Sequence, residues 1–232
     1  MKAREEIRAL ANKEIAQHSL RFFKTDKGEY GHGDLFLGVR APKIRLIAKK
    51  HIDISITDMK TLIQSKYHEE RFLGLIILVN KYAKAKDKKN RNQLYKIYVS
   101  SFKYINNWNL VDVTCPHVTG KHLIDKDRTI LYKWAKSEDL WTKRIAMVST
   151  FSFIRKNDLE DTFKIAEILL HDEHDLIHKA VGWMLREAGK RDIKKEEAFL
   201  KKHYKTMPRT MLRYSIEKFP ETKRQKYLKG TI

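Results

Sequence analysis

Long stretches of this chain contain nothing that would stop a helix. Four prolines and nine glycines are spread over 232 residues. Between them, apolar residues return at intervals of three and four, the spacing of one helical face. Leu10, Ile15 and Leu20 belong to a first helical segment, followed by the loop GEYGHGDLFLG. Pro42 stands where a first-turn proline belongs and opens APKIRLIAKK. Further helices are predicted near 57–64, 67–85, 90–104, 108–123, 126–136, 139–156, 158–170, 173–190, 193–206, 208–218 and 221–229. Their starts carry Asp, Ser or Pro signals, as in SEDLW and NDLED. No segment shows the alternation of a half-buried strand.

These segments are joined by short polar turns, with no linker rich in Pro, Gly or Ser, so one continuous domain over 1–232 is expected. Helix pairs recur roughly every 35–45 residues, the spacing of HEAT-type antiparallel pairs. The expected fold is therefore all-α: a superhelical solenoid of helix pairs whose concave, basic surface suits a long ligand. A compact bundle with the same helix count is the plainer alternative.

Charge narrows the ligand. The chain has 49 Lys plus Arg against 29 Asp plus Glu, a net charge of +20. Between Lys179 and Lys229 there are 16 basic and 6 acidic residues. A field of that size opposes its own compaction and suits a polyanion, nucleic acid first. No apolar run approaches a membrane span, so no membrane partner is expected. The first residues, MKAREEIRALANKEIAQ, do not read as a secretory signal. One cysteine, Cys115, precludes an intrachain disulfide and suits a cytoplasmic location.

Three places break their own helical pattern. In HDLIHKAVGWMLREAGK, Ile177, Val181, Met184, Leu185 and Ala188 form the core stripe. Trp183 falls nearly opposite, beside Lys179, Arg186 and Lys190. Either the indole packs on a neighbouring helix, or it is shown to nucleic acid among phosphate-binding cations. In DLWTKRIAMVSTF, Arg144 lies within the stripe of Trp141, Ile145, Val148 and Phe151. A guanidinium there needs a partner, either a structural carboxylate or a DNA phosphate. In INNWNLVD, residues 105–112, Trp108 and Asp112 are one turn apart at the edge of an apolar stripe. Pro116 has no N–H for the carbonyl of Asp112, so the helix should bend there.

Other patterns carry less. His174 and His178 echo a zinc-binding helix, but Asp175 replaces the usual glutamate and no further ligand is evident, so no metal is expected. Gly31-His32-Gly33 lacks the strand–turn–helix context of a phosphate loop. Cys115, on the apolar stripe, reads as a small buried hydrophobe.

INNWNLVD followed by Pro116 resembles the signature of the DNA alkylation repair enzymes, the AlkD-like glycosylases built of HEAT-like repeats. LFLGVRAPKIR resembles that family's N-terminal segment, LWTKRIAMV its arginine helix and HKAVGWMLREAGK its tryptophan helix. These landmarks stand in the family's order from Tyr30 to Lys190. The resemblance implies that Asp112 is the catalytic aspartate, Trp108 and Trp183 the active-site tryptophans, and Arg144 the phosphate-binding arginine. Tyr30 is a looser match to an aromatic that approaches DNA. Asn109 stands where family members often carry an acid. The implied activity is a monofunctional glycosylase that removes cationic alkylated purines, N3-alkyladenine and N7-alkylguanine, from duplex DNA during base excision repair. No metal or organic cofactor is implied. The protein is expected to act as a monomer, with Lys179, Arg186 and Lys190 holding DNA phosphates. The rival expectation is a non-catalytic helical-repeat binder of damaged or branched DNA, or of RNA, and Asp112 argues against it because a carboxylate weakens a phosphate-binding groove.

Overall fold

A computed structural model describes all residues, Met1–Ile232, and its regular elements are all helices. The one trace of strand pairing is an isolated bridge between Leu35 and Tyr67. The chain divides into two compact units, Met1–Val118 and Thr119–Ile232.

The first unit contains α1 (Lys2–Ala9), α2 (Lys13–Phe22), α3 (Ala41–Lys50), α4 (Ile56–Ile63), α5 (His68–Lys84), α6 (Lys88–Ser100) and α7 (Trp108–Asp112). The first segment, expected to be continuous, is two helices. Asn12 adopts extended geometry and its Oδ1 accepts the Ile15 amide at 3.0 Å, so it caps a new helix. Ser55 and Asp87 cap α4 and α6 in the same way. Helix α5 is the centre of the unit, packing against α3, α4 and α6. Ile44, Ile47, Met59, Leu62, Leu73, Leu75, Ile77 and Leu78 are buried around it. Full burial of side chains of this size is worth about 1.5–3 kcal/mol each before entropy is counted.

The second unit contains α8 (Lys121–Leu123), α9 (Thr129–Ala135), α10 (Leu140–Ser149), α11 (Phe151–Ile154), α12 (Glu160–Ile168), α13 (Asp175–Gly189), α14 (Ile193–His203), α15 (Arg209–Ser215) and α16 (Glu221–Lys229). Helix α13 is the counterpart of α5 and packs on α10, α12, α14 and α15. A Cβ at Gly182 would lie 2.5 Å from the Met211 carbonyl oxygen and 2.5 Å from the Tyr214 Cβ, so the close approach of α15 requires glycine there. The Asp139 carboxylate caps α10 through the Thr142 amide at 2.7 Å, as SEDLW predicts. NDLED behaves differently: α12 starts at Glu160 with no side-chain cap, and Asp158 instead accepts a bond from Arg128 at 2.6 Å.

The single helix expected over 108–123 is interrupted. Helix α7 ends at Asp112, a π-helical turn runs from Pro116 to Gly120, and α8 follows. Pro116 is the cause, since it cannot close the i→i−4 bond to Asp112. Among candidate membrane elements, no helix is long and apolar enough to cross a bilayer.

Candidate functional site

In the first unit, INNWNLVD is held from beneath. Leu110, Val111 and Cys115 are fully buried. The Thr114 hydroxyl donates to the Leu110 carbonyl at 2.5 Å and lies 2.7 Å from the Tyr98 hydroxyl of α6. Burial of Tyr98, with Cys115 nearby, pushes its phenol well above the ordinary range, so it remains a neutral peg under α7. Trp108 and Asp112 are left half-exposed, one turn apart.

Around the Trp108 ring lies an aromatic bed. Phe22 meets it edge-on at 5.9 Å between centroids, and Phe23 lies at 5.8 Å. Phe23 stacks on Phe36 at 5.2 Å and on the buried His68 at 4.8 Å, with Phe36 and His68 4.9 Å apart. Phe22 retains 53 % of its surface, an uncommon exposure for a phenyl ring.

Polar contacts tie the same motif to α5 and to the Gly-rich loop. Asn106 donates to Asp34 at 2.8 Å, and Arg71 donates to Asp34 at 2.7 Å and to Asn106 at 2.9 Å. His68 lies 3.3 Å from Asp34 through Nδ1 and 3.0 Å from the Asn109 amide nitrogen through Nε2. Burial lowers the His68 pKa; its bond to Asp34 opposes that and the Arg71 charge adds to it. Burial acts to raise the Asp34 carboxyl, but the His68 bond, the Arg71 charge and the Asn106 bond outweigh it and hold it below its usual range. Glu69 accepts the backbone N–H groups of Leu37, Gly38 and Val39 at 2.9, 2.8 and 3.2 Å. Gly38, at φ +78°, lies so close to Asn12 that a Cβ would be 2.0 Å from its carbonyl oxygen. LFLG is thus a cradle for a buried carboxylate, while Glu70 binds Arg4 at 3.0 Å and Arg8 at 2.6 Å.

Of the predicted first-unit residues, the structure places Trp108 and Asp112 together on α7, with Tyr30 half-buried in the loop that ends at Asp34. Asp34, His68, Glu69, Arg71 and Asn106 were missed. A signal for them exists in HEERFLGLIILV: four consecutive ionisable residues head a helix that is otherwise apolar, and buried charges there must find partners.

In the second unit, Arg144 is 5 % exposed and donates from Nη1 to the Leu176 carbonyl in the first turn of α13. Trp183 is half-exposed, and its ring lies 5.7 Å from Phe151, over which the Arg155 guanidinium sits at 4.4 Å. The cations beside Trp183 have acidic neighbours: Lys179 pairs with Asp175 at 2.6 Å, Lys190 with Glu187 at 2.6 Å, and Arg186 with Glu217 and, at 3.7 Å, Glu187. His174 caps α13 by accepting the Leu176 amide at 3.1 Å, while His178 Nε2 lies 2.5 Å from the Asp172 carbonyl oxygen. Their positions account for both histidines as structural groups.

The fold and the motif together define an all-helical protein that displays an indole and a carboxylate on one short turn. The chain belongs to the DNA alkylation repair enzyme family, whose profile matches residues 3–219. Among solved structures it is similar to a predicted DNA alkylation repair enzyme from Enterococcus faecalis. The TM-score is 0.72 at 16 % identity, over 91 % of this chain and 97 % of that one, so the two share a fold. It also aligns with AlkD2 from Streptococcus mutans at 18 % identity over 89 % of each chain, with a TM-score of 0.42 that is too low to bear on the fold. A search of curated proteins finds no match.

Proposed function

We propose that this chain is a monofunctional DNA glycosylase that hydrolyses the N-glycosidic bond of cationic alkylated purines, N3-alkyladenine and N7-alkylguanine, in duplex DNA. The observation that carries this reading is the pairing of Trp108 and Asp112, both half-exposed, on a turn whose underside is fixed by burial and hydrogen bonds.

An alkylated purine already bears positive charge and leaves with little acid assistance. As its bond to C1′ breaks, the deoxyribose becomes oxocarbenium-like. The Asp112 carboxylate stabilises that cation and orients the water whose oxygen bonds to C1′. The products are a free base and an abasic site. The face of an indole attracts the same cation, the role assigned to Trp108; Trp183 is proposed as a separate aromatic contact to the damaged DNA. This chemistry calls for no metal or organic cofactor.

Arg144, its guanidinium held by the Leu176 carbonyl, is assigned to a DNA phosphate. Lys179, Arg186 and Lys190 are assigned to the backbone without sequence readout. The pairing of Lys179 and Lys190 with acids does not preclude this, because exposed ion pairs are worth about 0–1 kcal/mol and exchange readily. Tyr30 is assigned to the approach of the DNA strand. A protein of this kind works as a monomer in the compartment that holds the DNA.

The test is single-turnover release of base from duplex DNA containing N7-methylguanine, with Asp112→Asn as the control. Loss of Asp112 is expected to slow release at least about 100-fold, with DNA affinity unchanged or raised because a repulsive charge is gone. Tight binding without release of either N7-methylguanine or N3-methyladenine would instead establish a non-catalytic DNA binder.

A further inference from the structure

Asn109 is three residues before Asp112 and next to Trp108, and its partner is a histidine. His68 is 2 % exposed at the head of α5 and is clamped on every side. Phe23 and Phe36 stack on its ring at 4.8 and 4.9 Å, and Phe23 continues to Trp108 at 5.8 Å. Asp34 also accepts bonds from Arg71 and Asn106, so it meets His68 Nδ1 as an acceptor and calls for a proton on that nitrogen. In a neutral ring Nε2 must then accept, and the Asn109 amide nitrogen, 3.0 Å away, is its donor.

We propose that His68 is a positioning residue for base excision: it holds the turn that presents Trp108 and Asp112, through the Asn109 amide on one side and through Phe23 on the other. The proposal rests on the glycosylase reading above. It also gives Asn109 a reason. A carboxylate at this position has no N–H to offer and would pair with the ring only if Nε2 were protonated. The asparagine donates to an unprotonated Nε2, and burial depresses the ring's basicity in the same direction. The charged groups around the ring are Asp34 from the loop, Arg71 and Glu69 from α5 itself, and Arg40, which lines a cavity of about 140 Å³ beside His68 and Asn109. From the residue that ends α2 and from α7 it meets Phe23 and the neutral Asn109.

Two substitutions separate the stack from the acceptor. His68→Phe keeps an aromatic ring and removes the acceptor, whereas His68→Gln removes the ring and offers an amide oxygen to Asn109. The readouts are the single-turnover rate on N7-methylguanine duplex, the affinity for that duplex, the melting temperature, and the indole N–H resonance of Trp108 in ¹H–¹⁵N spectra. His68→Phe is expected to lower the maximal rate about tenfold, shift the Trp108 resonance and leave affinity unchanged. His68→Gln is expected to recover most of the rate. Asn109→Asp is expected to raise the His68 titration, followed by its ring ¹⁵N shifts, relative to the wild-type protein. Wild-type rates and an unmoved Trp108 resonance in both His68 variants would overturn the proposal. So would equal losses in both that track melting temperature, or an Asn109→Asp variant whose His68 titrates no higher than in the wild type. Were the wild-type protein to release no base, the glycosylase reading would fall, while the Trp108 resonance and the His68 titration would still decide the coupling.

Discussion

At the head of α5, His68, Glu69, Glu70 and Arg71 are buried, and their partners lie as far as 66 residues away in sequence. Along α13, Lys179 and Lys190 are at least partly exposed, and each pairs with an acid within four residues, Asp175 and Glu187. The two helices are the centres of their units, yet they hold charge in opposite ways. A buried charge with long-range partners fixes a fold, since losing one partner strands the other away from water. A surface charge with a nearby acid is cheap to re-pair, which is what a phosphate-tracking surface requires.

The sharpest test of this contrast is Glu69→Ala. It leaves the backbone N–H groups of Leu37, Gly38 and Val39 without their acceptor and is expected to cost about 3–5 kcal/mol in urea unfolding. A cost no larger than that of Lys179→Ala would erase the distinction. Next comes Arg144→Ala, which removes a buried guanidinium between α10 and α13 and is expected to cost about 2–3 kcal/mol. Its effect on the salt dependence of DNA binding measures the share that belongs to phosphate contact.

Glu196 then tests a buried carboxyl of the second unit. It is 2 % exposed, and burial, with Glu197 nearby, raises its pKa to about 8. A carboxyl raised on folding is at its most favourable below the unfolded value of 4.5 and loses stability as pH climbs towards 8. Glu196→Gln is therefore expected to raise the melting temperature by an amount that grows between those limits; a gain independent of pH would show that Glu196 does not titrate there. The smallest effect belongs to Lys190→Ala. It is expected to change stability by less than about 0.5 kcal/mol and to lower the slope of log affinity against log salt by about 0.9.

The sequence yields helices well where the information is local. Asp139 and Ser55 cap as their positions suggest, and Pro116 ends the regular helix after Asp112. It misleads at Leu10–Asn12, where one apolar rhythm spans two helices, and at Asp158, where a capping residue takes a tertiary partner instead. The site divides along the same line. That Trp108 and Asp112 share one turn is legible because a helical wheel relates residues one turn apart, while their roles are what the family resemblance implies. Asp34, His68, Arg71 and Asn106 converge from positions up to 72 residues apart, and no periodicity reports that. Asn109 is the most instructive. In sequence it is a missing acid, and in the fold it is a hydrogen-bond donor to a neutral imidazole.

The buried Cys115 has a consequence for a repair protein's own survival. Alkylating agents attack the best nucleophile they can reach, and a thiolate outranks the ring nitrogens of purines as well as every other protein side chain. Here the one thiol of the chain is fully enclosed beneath α7, beside the peg formed by Tyr98 and Thr114. The agents whose damage this protein is proposed to remove therefore find no thiol on its surface, and the turn that carries Trp108 and Asp112 is spared the adduct that would lift it from its seat.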